Sequence, residues 1–319
     1  MPDSNFDLWK DRKVSDLAAI STSGIPAEQA ERHRIYSLAV MAITLYYWNG
    51  NKYGRYVRYP LNEPLPVTSP GKLGDDYVGH NISALIVDGD GYIIDMDFNH
   101  NEIFNSSVEH AESRLLRRTF SLSQIYDSWD LGRSPQERYY ATMLKAASLY
   151  TSLESCAQCS GIMALASVKE VLFLQTDPGQ YCIGNIMRNM TEGTGLQAPK
   201  PIPASAYGFN YFSALNEAYT AFHARPNVPA NAMVLDASGG VIPGQSYTTS
   251  ITSFLCTKAA RDIFMAATAE FDHFVVQFPD WKPDPSDIKQ LTNSQALAQA
   301  LHFVSYATKE ARRGSPHRS

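Results

Sequence analysis

Two short motifs limit the possible fold and chemistry of this chain more than any other feature of its sequence. One is Cys-Ala-Gln-Cys at Cys156–Cys159, which follows an apolar, strand-like run and begins a helical pattern. Cysteines three residues apart lie one helical turn apart on the same face, so both sulfurs can bind one metal ion. Alone, this spacing is also typical of a redox dithiol, of half a structural zinc site and of ordinary core cysteines. The second motif, His110-Ala111-Glu112 upstream, argues against the redox dithiol, which would leave His110 and Glu112 unexplained.

The four residue types together predict a catalytic zinc site. One imidazole and two thiolates bind Zn²⁺ with the fourth position open, and thiolates are favoured at the positive end of a helix. A structural zinc site needs no carboxylate two residues from its histidine. Hydrolytic deamination of a nucleobase needs one, to carry a proton from water to the ring nitrogen and to the leaving ammonia. We therefore predict His110, Cys156 and Cys159 as metal ligands and Glu112 as the catalytic proton carrier.

These motifs resemble those of the cytidine deaminase-like superfamily, and within it the tRNA-adenosine deaminase branch more than the free cytidine deaminases. Besides the His-x-Glu motif, the resemblance is carried by Leu149–Gly161, where LYTSLESCAQCSG is similar to LYVTLEPCxMCxG of that branch. Phe98-Asn99 matches an aromatic-Asn pair that ends a hairpin eleven residues before the zinc histidine. The similarity covers roughly 27–222.

The resemblance implies one Zn²⁺ per chain and a substrate pocket beside it. In that pocket Asn99 would hydrogen-bond the base or its sugar, with Ser155 and the backbone N–H groups of Ala111 and Cys156 lining the same space. Ser155 departs from the family, which has Pro before the first cysteine. Since Ser is a good N-cap residue, we expect it to cap the following helix and to preserve the metal site.

The pattern along the chain predicts an α/β fold, a three-layer α/β/α sandwich with a mixed central sheet and a C-terminal α/β extension. Predicted helices are Ala27–Trp48, His110–Phe120, Ser155–Ser167 and Tyr211–His223. Predicted strands are Ala84–Val87, Tyr92–Met96, Ala147–Leu153 and Glu170–Gln175, with a further edge strand near Pro201–Ala204.

A Pro-rich break at Arg225–Pro229 predicts a domain boundary, with an N-terminal extension at 1–26, a deaminase domain at 27–225 and the C-terminal extension at 226–319. In the extension we predict a hairpin, two helices and a strand, which faintly echo the earlier hairpin and helix. A degenerate internal repeat and unrelated packing against the core both stay open. These elements are Ala232–Ile242, Ile251–Phe271, His273–Phe278 and Ser294–Arg312.

Charge gives a mixed indication of the substrate. The formal net charge of −5 has no basic excess of the kind that neutralises phosphates. Lys52–Tyr59 alternates cations with tyrosines, which suits base stacking but equally an exposed hairpin. Phosphates could be held by Arg114, Arg117 and Arg118, although a solvated helix face is the simpler interpretation.

The segment between the two motifs is longer than in the similar branch, and we expect the extra residues, about 121–145, to lie at the rim of the site.

The resulting prediction is a zinc-dependent hydrolytic deaminase of adenine or cytosine, acting on a single-stranded or flipped-out nucleic acid. Two alternatives are a deaminase of a free base, nucleoside or nucleotide, and an inactive deaminase fold used for binding. Without a visible signal peptide or membrane span, we expect a cytoplasmic protein with no membrane partner. A homodimer is compatible with the sequence, which does not decide the oligomeric state.

Overall fold

We describe the computed structural model over residues 11–19, 24–49, 77–129, 143–193, 195–224 and 249–309. The predicted stacking segment Lys52–Tyr59, the Pro-rich break and the hairpin Ala232–Ile242 lie outside these residues. The helices are α1 Val14–Leu17, α2 Ala27–Tyr46, α3 Ala111–Trp129, α4 Ala157–Leu165, α5 Ile183–Thr191, α6 Asn210–His223, α7 Ile251–Phe254, α8 Lys258–Asp272 and α9 Asn293–Lys309.

A mixed sheet of five strands forms the centre of the fold. Its order is β2-β1-β3-β4-β5, antiparallel from β2 to β3 and parallel from β3 to β5. The strands are β1 Ser83–Val87, β2 Ile93–Phe98, β3 Ser148–Thr151, β4 Glu170–Phe173 and β5 Lys200–Pro203. The predicted hairpin, the two later strands and the edge strand near Pro201 are confirmed, with ends displaced by a few residues.

The sheet is covered on both faces, since every residue of β1 and β4 is buried. The long helix α2 packs on β1 and β3, while α3 packs on β2 and β1 and contacts α4. Helices α8 and α9 pack in turn on α2. The predicted α/β/α layering is confirmed, and α2 is largely buried because it lies between the sheet and two further helices.

The described part of the C-terminal extension consists of three helices, with an irregular segment at 273–292 before the last of them. The predicted helix Ile251–Phe271 is divided into α7 and α8, because the side chain of Thr257 accepts a hydrogen bond from the N–H of Ala260 and begins a new helix. The predicted strand His273–Phe278 is wrong. The backbone N–H groups of Gln277 and Phe278 do not pair with a neighbouring strand, because both donate hydrogen bonds to the carboxylate of Glu31.

Two charged side chains of α2 hold this segment against the core that surrounds the sheet. Glu31, fully buried, also accepts a hydrogen bond from the side chain of Asn293 at 3.0 Å. The neighbouring Arg32 donates to the carbonyls of Leu291 and Trp281 and to the side-chain oxygen of Asn293. Buried charges of this kind need all of their partners, so α2 and 277–293 depend on each other.

Within the described residues, none of the helices is both long enough and apolar enough to cross a membrane.

We predict that Glu31→Gln lowers the free energy of unfolding by about 2 kcal/mol, because the new amide group turns a donor toward backbone donors that the carboxylate now satisfies. Urea unfolding at neutral pH measures this loss. The matched control is Glu217→Gln, on an exposed position of α6, which should change stability by less than about 0.5 kcal/mol. Equal stability of the two variants would contradict the structural role of Glu31.

Candidate metal centre and active site

The two motifs meet where two helices begin. His110 directly precedes α3, and Cys156 is the N-cap residue of α4, with Cys159 inside its first turn. Strand β3 is the middle strand of the sheet and ends at Thr151. The segment that follows it places the cysteines beside the start of α3. The predicted placement of both motifs at helix starts is therefore confirmed.

The three predicted ligands form a compact group whose ligand atoms lie within 4.8 Å of one another. His110 Nδ1 is 3.4 Å from Cys156 Sγ and 3.7 Å from Cys159 Sγ. With Zn–S near 2.3 Å and Zn–N near 2.0–2.1 Å, ligands of one tetrahedral Zn²⁺ stand about 3.6–3.8 Å apart. The observed spacing fits a metal ion of this kind. Among the described residues, no other His, Cys, Asp or Glu side chains form such a group.

The pKa values of the two cysteines are shifted in opposite directions. A hydrogen bond from Cys159 lowers the pKa of Cys156 to about 4, and His110 contributes to this shift. The same contact, together with burial, raises the pKa of Cys159 well above its usual range. Hydrogen bonding to Cys156 raises the pKa of His110. A cation bound here would replace these protons, as metal binding to thiols and imidazoles generally does.

Glu112 lies beside the ligands with only 3% of its surface exposed. Its Oε2 accepts a hydrogen bond from Cys159 at 3.4 Å, while Oε1 accepts hydrogen bonds from Thr151 at 3.0 Å and Ser155 at 3.2 Å. Burial raises the pKa of this carboxyl group. One carboxylate oxygen is thus held by the protein and the other faces the ligand group, the arrangement that a proton carrier requires.

Ser155 does not act as the predicted N-cap. The capping position belongs to Cys156, whose side chain makes no capping hydrogen bond. The Ser155 hydroxyl turns to Glu112 instead, because a buried carboxylate is the stronger acceptor. Thr151, its partner at Glu112, was missed by the sequence analysis. A signal existed, since LYTSLESC has Thr where the similar motif has Val.

The side chain of Asn99 is already engaged at the start of α3. Its Oδ1 accepts the N–H of Ala111 at 2.7 Å, and both residues are buried. This contact fixes the loop before His110 to the end of β2. Contacts of Asn99, Ala111 and Ser155 with a substrate stay predictions.

Of the three arginines of α3, Arg117 is solvent-exposed as expected, with 59% of its side chain accessible, whereas Arg114 and Arg118 are partly buried. Arg118 bonds to Asp95 and Asp97 of β2 and to the carbonyl of Met96, and its Nη1 lies 2.6 Å from Asp97. Arg114 and Arg117 both pair with Glu109, the latter at 2.7 Å. Internal carboxylates therefore balance these cations.

Two acidic residues, Glu154 and Asp177, lie in the segments that follow β3 and β4. Glu154 accepts a hydrogen bond from the N–H of Asp177 at 3.0 Å, and burial raises the pKa of Glu154 to about 7. Burial also raises the pKa of Asp177. Motif spacing gave no indication of this pair, because Asp177 lies outside both motifs, in the segment that follows β4.

Among curated proteins, the chain is similar to the tRNA-specific adenosine deaminase of Bacillus subtilis (strain 168), with 27% identity over 110 residues. The match covers 34% of this chain and 57% of the relative, so the chain spans little more than half the length of that relative. No protein-family model matches.

Among solved structures, one from a study of A-to-I editing by tRNA:A34 deaminases at the wobble position of transfer RNA overlaps 39% of this chain and 82% of its own, at 22% identity and a TM-score of 0.27. Guanine deaminase from Nitrosomonas europaea overlaps 61% and 97%, at 15% identity and a TM-score of 0.30.

The His-x-Glu and Cys-x-x-Cys motifs converge, within an α/β/α fold, on one group of side chains that could bind a metal ion. Together with the similarity to the curated relative, these features support the resemblance to the cytidine deaminase-like superfamily.

We predict that Cys156→Ser and Cys159→Ser each reduce bound zinc far below one ion per chain, because the hydroxyl of Ser is a much weaker ligand than a thiolate. Elemental analysis after dialysis against a mild chelator measures the content. Cys182→Ser is the matched control, since Cys182 lies outside the ligand group and should leave one zinc per chain. Unchanged zinc in Cys159→Ser would refute the site.

Proposed function

We propose that this protein is a zinc-dependent hydrolytic deaminase that converts the exocyclic amine of adenine or cytosine to a carbonyl. The observation that carries the proposal is the position of Glu112, buried and hydrogen-bonded to Cys159, a member of a His-Cys-Cys group. A structural metal site has no use for such a carboxyl group. A catalytic one does, so this arrangement also argues against an inactive binding module.

The reaction takes water and releases ammonia, exchanging a C–NH₂ group for C=O. His110, Cys156 and Cys159 would hold Zn²⁺, which when bound acts as a Lewis acid and lowers the pKa of water toward neutrality. Glu112 takes one proton from the attacking water and delivers it to the ring nitrogen. It then takes the remaining proton from the new C–OH group and delivers it to the amine, which leaves as ammonia while the C=O bond forms. Its burial supports this role, because burial raises the pKa of the carboxyl group and so makes its protonated form easier to reach.

For the substrate, we propose adenine or cytosine within RNA or single-stranded DNA. The motif similarity and the tRNA-specific deaminase relative support this choice. The pocket would then meet an unpaired or flipped-out base.

A free nucleobase, nucleoside or nucleotide is the second candidate, and one observation favours it. Asp95, Asp97 and Glu109 neutralise the arginines of α3 that would otherwise serve phosphate binding. Nucleic-acid affinity comes largely from unpaired cations, so other parts of the chain would have to supply them.

We predict that Glu112→Gln lowers kcat by about 10²–10⁴-fold with zinc retained, since the amide keeps the side-chain shape but cannot take up and release a proton near neutral pH. Glu217→Gln is the matched control, because Glu217 is exposed on α6, outside the ligand group, and its replacement should keep kcat within a few-fold. Activity that survives Glu112→Gln would exclude this role for Glu112.

A substrate panel separates the two candidates. Zinc-loaded protein is incubated with tRNA, single-stranded and double-stranded DNA, nucleosides, nucleotides and free bases, and mass spectrometry detects the exchange of NH for O. We expect deamination of a single-stranded nucleic acid, weakening steeply as salt rises. Turnover confined to free bases or nucleosides would reject the nucleic-acid proposal and support the second candidate.

A further inference from the structure

Two buried hydroxyl groups meet on a single oxygen atom of Glu112. Thr151 Oγ1 donates to Glu112 Oε1 at 3.0 Å, and Ser155 Oγ donates to the same atom at 3.2 Å. Thr151 is fully buried and Ser155 is 5% exposed. Hydrogen bonds to an ionised acceptor are among the stronger ones, and these two are shielded from water.

The hydroxyl groups belong to the segment that also supplies the cysteines. Thr151 is the last residue of β3, and Ser155 directly precedes Cys156. Glu112 comes from a different element, the first turn of α3. The two bonds therefore tie the carboxylate directly to the segment that holds two of the three metal ligands.

Both hydroxyl groups are departures from the motif that this segment resembles. Where that motif has Val and Pro, this chain has Thr151 and Ser155. Neither Val nor Pro offers a side-chain donor. The two replacements lie four residues apart in sequence, yet they converge on the same atom.

We propose that Thr151 and Ser155 are positioning residues that hold Glu112 Oε1 and thereby aim Oε2 at the reacting water. The inference rests on the proposed function of Glu112. A glutamate side chain has several rotamers, and holding one of them removes an entropic cost from the proton transfers. Because this gain is realised in the transition state, it acts on kcat and leaves KM unchanged.

The kinetic test uses Thr151→Val, which keeps the side-chain shape, and Ser155→Ala. Each is expected to lower kcat about tenfold, with KM within about twofold of the unchanged protein and zinc at one ion per chain. Thr151→Ser retains a hydroxyl group and should restore most of kcat. Ser152→Ala is the matched control, because the Ser152 hydroxyl is equally buried but accepts the N–H of Ser83. It should leave kcat unchanged.

A second measurement does not depend on activity. In zinc-loaded protein, Thr151→Val should lower the midpoint of thermal unfolding by about 3 °C or more. In a Glu112→Ala background the same change should cost nothing, because the hydroxyl group has lost its acceptor. Independent, additive effects of the two substitutions would show that the hydrogen bond contributes nothing.

The outcomes separate this inference from the proposed function. If Thr151→Val and Ser155→Ala both keep kcat within twofold while the unchanged protein is active, the positioning role is refuted and the deaminase proposal stands. If the unchanged protein deaminates nothing in the panel, the proposed function fails and the catalytic role of the two residues fails with it. The unfolding measurement then still decides whether the hydroxyl groups hold Glu112.

Discussion

The convergence of two helix starts on one small volume is the constraint on which the rest of the structure depends. His110 precedes α3 and Cys156 begins α4, so the three ligand atoms meet within 4.8 Å. That meeting requires β3 to lie beside β1 and requires α3 to pack over the same side of the sheet as α4. The positive ends of both helices then favour the anionic forms that a metal site needs.

The environment of Glu112 follows from this geometry. The carboxyl group is buried because α3 brings it under the end of β3, and burial would be costly without partners. Thr151 and Ser155 supply those partners at one oxygen, while Cys159 contacts the other. The same packing that buries the carboxyl group, and so favours its proposed role as a proton carrier, also restricts its orientation.

Several charged side chains elsewhere in the described structure bond to other parts of the protein. Glu31 and Arg32 join α2 to the C-terminal segment, and Arg118 joins α3 to the edge strand β2. Each pair links distant parts of the chain. They stabilise the support around the metal centre, and they leave the arginines of α3 with protein partners in place of phosphate groups.

The sequence by itself determined the strands of the central sheet, the helices that pack on it and the group of three candidate metal ligands, because periodicity and motif spacing are local properties of the chain. It also predicted a role for Glu112, since a carboxylate two residues from a candidate metal-ligating histidine has a specific chemical use. Only the tertiary structure decided which polar groups are partners. The hydroxyl of Ser155 donates to Glu112 and does not cap the helix. The N–H groups of 277–278 bond to Glu31 and form no strand. In each case the acceptor is a buried carboxylate from a distant segment of the chain. Hydrogen-bond partners of this kind depend on packing between segments, which local sequence patterns do not encode.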